Sequence, residues 1–380
     1  MRAAEPDAAL TLARGIWAHP ARDIEVVPAV TSGWPLDVLD IRGRPRLLIS
    51  PGPGARRALR SGNGLRAPRD RTARWLAGVG VTALAPLPQT GVLRRLTVRP
   101  RRCGVQRVTA RIAETGGLPT ERVLVTVRTI DDHYKPTITF LDACGTATGY
   151  AKLGWTPGTA EMVRREAGAL AAVRGALGPR LATPDLLGCG DHGDRPWLLT
   201  APIEESARRS GTVLPDAAVL AALAGVTSLG SADAATAAWR RPQGPRGALV
   251  DAAGRRLSDV WRHGVELGRS HGDWVPWNTA RLGSRTIAWD WEHYRAAAPV
   301  GVDAVHWQVM TAHTLEGLSW DDAYRRLLAA APEVAPLALF HATELLVRSE
   351  TLKGSDGSEP FPLDDVVGDL VRHVGREREK

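Results

Sequence analysis

The sequence has little cysteine, little lysine and no long apolar run. Its three cysteines (Cys103, Cys144 and Cys189) are odd in number and lack the spacing of metal ligands, so they predict neither a disulfide framework nor a zinc centre. The most apolar stretch, Ala217 to Val226, is far too short to span a bilayer. Residues 1–16 lack the apolar core of a secretory signal. We therefore expect a cytoplasmic protein with reduced thiols and no membrane segment.

The positive charge of the chain rests almost entirely on arginine. Only four of its 49 basic residues are lysines, and the formal net charge is +8. Excess arginine suits anionic ligands such as nucleotide phosphates. The most basic, turn-rich segment, residues 60–71, has no interleaved aromatic residues, which single-stranded nucleic acids need for stacking. We expect a solvated loop there and no nucleic-acid partner.

Several nucleotide-binding and catalytic motifs are also missing. The sequence contains no Walker A motif, no Rossmann glycine motif and no nucleophile elbow, each of which has a recognisable residue pattern. These absences argue against a P-loop enzyme, a dinucleotide-dependent enzyme and an α/β-hydrolase. The chemistry must be sought in another pattern.

One pattern does stand out, between Ser270 and Glu292. His271-Gly272-Asp273 is followed by Asn278 with the Asp-to-Asn spacing of a kinase catalytic loop. A short apolar run, Ile287 to Trp289, then ends at Asp290. Asp290 therefore supplies a second carboxylate close in sequence to Asp273 and Asn278.

Asp273, Asn278 and Asp290 are the residue types that a magnesium–phosphate site requires. Phosphoryl transfer needs positioning and charge neutralisation more than covalent chemistry. Asp273 is the candidate to orient the attacking hydroxyl and accept its proton. Magnesium prefers a few hard oxygen ligands and takes phosphate oxygens for the rest, so Asn278 and Asp290 are the candidate metal ligands. The alternative is that all three residues only cap turns. His271 is expected to support the loop rather than to transfer protons.

A lysine and a glutamate earlier in the chain form a second candidate pair. Lys152 lies between apolar neighbours on a predicted strand, and Glu166 lies on the apolar face of a predicted helix, Thr159 to Val173. An unpaired carboxylate on that face would be costly, so we expect Lys152 to pair with Glu166. The alternative is that both side chains face solvent.

The secondary-structure pattern places strands before helices. Short β segments are predicted at Gln106–Ile112, Thr137–Leu141 and Thr148–Leu153, the last two forming a hairpin. From Pro215 onward the pattern is helical, including Ala217–Leu229 and a longer helix at Ala248–Leu267 that leads into the motif. This order predicts an α+β protein with an antiparallel sheet.

Three regions follow from this pattern. We expect residues 1–100 to form an α+β extension or cap, residues 101–203 a β-rich N-lobe with one helix, and residues 204–380 a helical C-lobe. The segment Thr200-Ala201-Pro202-Ile203 ends a predicted strand and is interrupted by its proline, as a hinge between lobes would be. Four tryptophans crowd the motif segments: Trp274, Trp277, Trp289 and Trp291. Either they pack the loop against the helices, or one of them stacks on a ligand ring.

The two motif segments resemble those of the aminoglycoside phosphotransferase and choline kinase-like branch of the protein-kinase-like fold. The resemblance covers about residues 100–350. It implies that Asp273 is the catalytic base, that Asn278 and Asp290 bind Mg²⁺, and that Lys152 with Glu166 secures the nucleotide. It further implies a hinge at Thr200, Ala201 and Ile203, and transfer of the γ-phosphate of ATP, or of GTP, to a hydroxyl of a small molecule.

The sequence departs from this family where a glycine-rich loop would cover the phosphates. Residues 130–136 (Ile-Asp-Asp-His-Tyr-Lys-Pro) occupy that place. A catalytically weak pseudokinase that binds a nucleotide or a partner is therefore an alternative, as is a nucleotidyltransferase or a protein kinase of the same fold. The acceptor can be a sugar, an amino alcohol or an aminoglycoside-like molecule. The helical part has no dense acidic run, which argues against a polycationic antibiotic.

Overall fold

The structure is a computed structural model of the chain. It describes residues 8–18, 24–28, 33–41, 44–51, 93–100, 106–119, 121–127, 134–204, 206–351 and 361–376. The chain divides into two compact units. The first comprises Met1–Ala167 and Pro184–Glu205, and the second comprises Gly168–Thr183 and Ser206–Lys380.

Among the described residues, strands predominate in the first two hundred residues of the chain and helices in the remainder. The helices are α1 (Ala8–Ala13), α2 (Val108–Thr115), α3 (Pro157–Val173), α4 (Ala217–Ala224), α5 (Ala232–Thr236), α6 (Gly244–Val260), α7 (Val302–Thr314), α8 (Trp320–Ala330), α9 (Ala335–Thr351) and α10 (Asp364–Arg376). The strands are β1 (Ile24–Pro28), β2 (Trp34–Ile41), β3 (Arg44–Ile49), β4 (Leu93–Pro100), β5 (Arg122–Thr126), β6 (Thr137–Leu141), β7 (Ala147–Leu153), β8 (Leu181–Ala182), β9 (Leu186–His192), β10 (Arg195–Thr200), β11 (Arg208–Arg209), β12 (Ser228–Gly230), β13 (Val265–Ser270), β14 (Thr279–Leu282), β15 (Arg285–Ala288) and β16 (Arg295–Pro299). A π-helical turn (Arg14–Ala18) follows α1, and 3₁₀ turns lie at Pro276–Asn278, Trp291–His293 and Pro332–Val334.

The first unit is built on one nine-stranded sheet. Its strand order is β1-β4-β2-β3-β5-β6-β7-β10-β9, and every neighbouring pair is antiparallel. Strands from the first hundred residues and strands from the following hundred therefore share a single sheet. Apolar side chains of α1, the π-helical turn, α2 and the strands form its core, including Leu12, Trp17, Leu36, Ile112 and Phe140. Each such side chain contributes about 1.5–3 kcal/mol by leaving water.

The second unit combines two small sheets with helices α4–α10. One sheet has the order β11-β14-β15-β8 and the other β12-β13-β16. The helices enclose an apolar core that includes Val250, Val309, Leu339, Phe340 and Val367. The predicted α+β class, with an antiparallel sheet first and helices afterwards, is thus confirmed. None of the described helices combines the length and the apolar character that a bilayer span needs.

The prediction of a strand at Gln106–Ile112 is wrong, because this segment begins helix α2. The helix buries Val108, Thr109, Ile112 and Ala113. Buried positions at i, i+1, i+4 and i+5 lie on one face of a helix. A short apolar run does not distinguish a strand from a helix by itself.

Two predicted helices end earlier than expected. The helix predicted to reach Leu267 stops at Val260, and Val265–Ser270 is strand β13, which pairs with β12 and β16. The helix predicted to reach Leu229 stops at Ala224. In both places the alanine- and leucine-rich sequence predicted a longer helix, whereas pairing with neighbouring strands stabilises a strand. The basic segment 60–71 and residues 130–133 lie outside the described residues.

Candidate active site

The predicted catalytic loop lies in the second unit, between strands β13 and β14. The hairpin β14–β15 follows the loop directly, and in it Thr279 pairs with Ala288. Beyond that pair, the Trp289 N–H donates to the Asn278 carbonyl at 3.1 Å. The hairpin thereby brings the backbone of Asn278 beside that of Trp289, immediately before Asp290, although twelve residues separate Asn278 from Asp290 in sequence.

The Asp273 carboxylate accepts a hydrogen bond at each oxygen. Asn278 Nδ2 donates to Oδ2 at 2.7 Å, and His306 Nε2 lies 3.0 Å from Oδ1. The Asp273 side chain is 29% exposed, whereas that of His306 is 4% exposed, so the carboxylate lies between the protein interior and the surface. Burial acts to raise the pKa of Asp273, but the hydrogen bond and charge of His306, with the charges of His293 and Arg348, outweigh it and lower that pKa. Asp273 is therefore a carboxylate over the whole neutral range.

Asn278 and Asp290 offer hard oxygen donors. Both hydrogen bonds of the Asn278 amide nitrogen go to Asp273, to its side chain and to its carbonyl at 3.2 Å, so the amide oxygen is turned away from Asp273. Asp290 has φ 66° and ψ 52°, and it is the one non-glycine residue in the described part of the chain with positive φ. Such a conformation costs about 1–3 kcal/mol and concentrates at functional sites. The donor set is that which Mg²⁺ prefers. No group of three or more His, Cys, Asp or Glu side chains suited to a metal is found among the described residues.

A buried aspartate on helix α7 fixes the backbone of the loop. Asp303 accepts the His271 N–H at Oδ2 and the Gly272 N–H at Oδ1, both at 3.0 Å. Burial raises the pKa of Asp303. Gly272 has φ +75°, and a Cβ there would lie 2.2 Å from the His293 carbonyl oxygen. Arg348 Nη1 donates to the Gly272 carbonyl at 3.0 Å, so Gly272 is held at both its N–H and its carbonyl.

His271 lies in the interior and connects the two motif segments. It is fully buried, its Nδ1 accepts the Asp273 N–H at 3.2 Å, and its Nε2 donates to the Trp289 carbonyl at 3.0 Å. Burial lowers the pKa of His271, so the ring is neutral. Both ring nitrogens are used within the protein, which leaves neither for proton transfer with a substrate.

The four tryptophans divide into two groups. Trp274 and Trp291 are fully buried, and the His271 ring packs against both, with centroids 5.7 and 4.5 Å away. These two pack the loop against the interior. Trp277 and Trp289 are partly exposed, and the prediction of a stacking role remains open for these two alone.

The predicted Lys152–Glu166 pair is present in the first unit. Lys152 on β7 places Nζ 2.7 Å from Glu166 Oε1 and 2.6 Å from Oε2 on helix α3. The side chains are only 11% and 4% exposed. The alternative that both face solvent is excluded. Because the lysine bonds both carboxylate oxygens, the pair fixes the ammonium group at one point on the sheet.

The predicted hinge segment directly follows strand β10. Thr200 Oγ1 donates to the Tyr150 carbonyl at 3.3 Å, and the Ala201 N–H donates to the Asp185 carbonyl at 2.8 Å. Pro202 has no N–H. A ligand edge at this segment would therefore meet the backbone carbonyls and the Ile203 N–H rather than the Ala201 N–H.

Comparison with known proteins gives structural likenesses only. No protein-family model matches the sequence, and no curated protein matches it. Among solved structures, aminoglycoside phosphotransferase APH(4)-Ia, in a complex with ADP and hygromycin B, is 13% identical over 70% of this chain and 96% of that chain, with a TM-score of 0.44. A protein from Thermobifida fusca assigned as a fructosamine-3-kinase is 19% identical over 72% of this chain and 100% of that chain, with a TM-score of 0.46. The choline kinase LicA from Streptococcus pneumoniae is 13% identical over 67% of this chain and 90% of that chain, with a TM-score of 0.39.

The matched structures include the enzyme groups that the motifs resemble. At these identities and TM-scores, the function proposed below rests on the geometry of the site.

Three residues that touch or support the site were not found from the sequence. His306, His341 and Tyr324 lie on helices α7, α9 and α8, and they form a hydrogen-bonded series that begins at Asp273. Their sequence separations of 33, 35 and 17 residues exceed the reach of any local pattern. A histidine on an otherwise apolar helix face would have been the only available signal.

Proposed function

We propose that the protein is an ATP- and Mg²⁺-dependent phosphotransferase that moves the γ-phosphate to a hydroxyl group of a small molecule. The observation that carries this proposal is the Asp273 carboxylate, held at both oxygens by Asn278 and His306 and still partly exposed. A fixed, ionised and accessible carboxylate is the group that an attacking hydroxyl requires.

In this proposal Asp273 accepts a hydrogen bond from the acceptor hydroxyl and orients its oxygen towards the phosphoryl group. The two donors that hold the carboxylate also weaken it as a base, because they stabilise its charged form. Asp273 therefore takes the proton late, when bond formation to phosphorus has made the hydroxyl more acidic. Such timing agrees with a loose transition state in which the nucleophile needs orientation more than activation.

Asn278 Oδ1 and the Asp290 carboxylate are the proposed magnesium ligands. Both are hard oxygen donors, and Mg²⁺ takes one or two such protein ligands together with phosphate oxygens. When bound, the ion would neutralise phosphate charge. The left-handed backbone of Asp290 is the local distortion that this role explains.

For the nucleotide we assign Lys152 to phosphate oxygens and the backbone at Thr200, Ala201 and Ile203 to the base. Glu166 holds the lysine at both carboxylate oxygens, which supports a positioned ammonium group. The nucleotide is ATP, with GTP as the other purine that a backbone hinge can accept. Sugars, amino alcohols and aminoglycoside-like molecules are the acceptor classes to test.

The test is ADP release from Mg-ATP with a panel of sugars, amino alcohols and aminoglycosides. We expect acceptor-dependent turnover in the wild type and a loss of about 100- to 10,000-fold in Asp273→Asn and Asp273→Ala. Asp233→Asn, which changes an exposed aspartate of the same unit, is the matched control and is expected to keep full activity. Equal turnover in Asp273→Ala and the wild type would refute the assignment.

Three further measurements separate the alternatives. A pseudokinase would show a thermal shift with Mg-ATP and no transfer to any acceptor. A nucleotidyltransferase would incorporate label from α-labelled rather than γ-labelled ATP. A protein kinase would label a protein acceptor.

A further inference from the structure

A continuous series of hydrogen bonds runs from Asp273 into the helical core of the second unit. His306 Nε2 lies 3.0 Å from Asp273 Oδ1, His306 Nδ1 lies 2.8 Å from His341 Nε2, and His341 Nδ1 lies 2.7 Å from the Tyr324 hydroxyl. His306, His341 and Tyr324 are 2–3% exposed. The series joins three helices to one carboxylate, and we call it the His–His–Tyr series.

The direction of the first hydrogen bond follows from the carboxylate. An ionised Asp273 only accepts, so His306 must donate from Nε2. In the arrangement that we infer, this is the one proton on the His306 ring, so that Nδ1 accepts from His341 Nε2 and His341 Nδ1 accepts in turn. The Tyr324 hydroxyl supplies that last hydrogen. Every polar atom of the series is satisfied in this arrangement, and the carboxylate carries its only charge.

Burial favours the neutral forms of His341 and Tyr324 that this arrangement needs. It lowers the pKa of His341 and raises the pKa of Tyr324. The charged and titratable groups that act on Asp273 and His306 from other elements are Arg348 on α9, His293, His271 and Asp303. A polar series this deep is costly unless every member is paired, and apolar side chains would fill the same volume without that requirement.

We propose that His306 is a positioning residue whose donor direction is set by Tyr324 through His341, so that the Asp273 carboxylate is held in one orientation towards the acceptor hydroxyl. The catalytic part of this inference rests on the proposed function. The structural part, the direction of the hydrogen bonds, does not depend on it.

The first experiment needs no acceptor. In full-length protein labelled with ¹⁵N-histidine, nitrogen chemical shifts and couplings to ring protons distinguish the Nε2–H from the Nδ1–H tautomer. We expect His306 and His341 each to carry a proton at Nε2 and none at Nδ1. In Tyr324→Phe, which removes a single hydroxyl, we expect the His341 signals to change and the change to reach His306. A proton at Nδ1 of either histidine in the wild type, in the neutral or the doubly protonated ring, or unaltered His306 signals in Tyr324→Phe, would overturn the proposal.

The second experiment uses two substitutions that each keep half of the contacts of His306. In His306→Gln the side-chain amide takes the place of Nε2 and can still donate to Asp273. In His306→Asn the amide takes the place of Nδ1 and can reach His341 but not Asp273. We expect kcat for the acceptor found in the panel to fall about 10- to 100-fold in His306→Asn, the loss of a hydrogen bond to a charged group, with KM for ATP unchanged. His306→Gln should lose less, and Tyr324→Phe about 2- to 10-fold.

The outcomes separate this inference from the proposed function. Equal kcat losses in His306→Gln and His306→Asn, at matched thermal unfolding temperatures, would reduce His306 to a packing role and overturn the positioning proposal. If Asp273→Ala retains turnover, the proposed function fails, and the tautomers alone then decide whether the His–His–Tyr series is directed towards Asp273.

Discussion

Removing Lys152 should have two separable effects, a loss of stability and a loss of ATP turnover. Lys152→Met keeps an unbranched side chain that is one atom shorter, but it leaves the Glu166 carboxylate, only 4% exposed, without the lysine that bonds both of its oxygens at 2.6–2.7 Å. Breaking a buried ion pair from one side costs about 3–5 kcal/mol. The same change removes the proposed phosphate ligand.

The double variant Lys152→Met/Glu166→Met separates the two effects. Replacing both members of a buried pair by apolar side chains of similar size is often neutral or stabilising. We therefore expect the double variant to regain most of the stability that Lys152→Met loses, which corresponds to a coupling energy of about 3 kcal/mol or more. Turnover of ATP should not return, because the ammonium group is still missing.

Urea unfolding followed by tryptophan fluorescence and far-UV circular dichroism measures the stability side of this cycle. Transition midpoints are compared for the wild type, Lys152→Met, Glu166→Met and the double variant, since a chain of two units need not unfold in one step. Titration with ADP and the ADP-release assay measure the functional side. A double variant as unstable as Lys152→Met would refute the energetic reasoning, and a double variant that turns over ATP normally would refute the role of Lys152.

Three further predictions concern the second unit. Gly272→Ala should destabilise the protein more than Gly283→Ala in urea unfolding. Both residues have positive φ, which costs alanine about 1–2 kcal/mol, but the new Cβ lies 2.2 Å from a backbone oxygen at position 272 and has nothing within 4 Å at position 283. Equal losses of stability would contradict this prediction. Ser319→Ala should cost about 0.5–2 kcal/mol, because the Ser319 hydroxyl caps α8 by accepting the N–H of the third helical residue at 3.1 Å. Ser319→Thr keeps this acceptor and the hydroxyl that donates to Asp322 Oδ2 at 2.6 Å, and should retain most of the stability. Burial lowers the pKa of His271 and His341, so the unfolded chain binds more protons than the folded chain below the ordinary histidine pKa of 6.5. The free energy of unfolding should therefore fall as the pH is lowered from about 6.5 to 5, by up to about 1.4 kcal/mol per pH unit for each histidine. His341→Gln should flatten this slope, and an unchanged slope would contradict the reasoning.

The parts of the site that sequence could predict are those built from local contacts. Asp273 and Asn278 are five residues apart and bond each other directly, so their spacing alone carries the geometry. Lys152 and Glu166 come from a strand and the helix that follows it, and the cost of a carboxylate on an apolar helix face indicated the pair. Each of these inferences used one physical rule over a span of at most about fifteen residues.

The parts that sequence could not predict depend on contacts between distant elements. His306 reaches Asp273 only because α7 packs beside the loop, and His341 reaches His306 only because α9 packs against α7. The segment at Gln106–Ile112 was assigned to the wrong element because a short apolar run fits both periods, and the strand Val265–Ser270 was missed because its stability comes from pairing with β12 and β16. Tertiary partners override local propensity at such positions.

The hairpin β14–β15 has a consequence for how this site can change in evolution. Asn278 and Asp290 lie at its open end, and the two-residue turn at Gly283 and Ser284 lies at its tip. Adding one residue to each strand would lengthen the hairpin without moving its open end, because antiparallel pairing keeps opposed residues in register. An insertion in one strand alone would shift that register and reverse the faces of its side chains. The spacing from Asp273 to Asn278 is fixed because the two side chains bond each other directly, whereas the spacing from Asn278 to Asp290 can grow in steps of two residues. Sequence searches that hold the second spacing constant would overlook relatives with a longer hairpin.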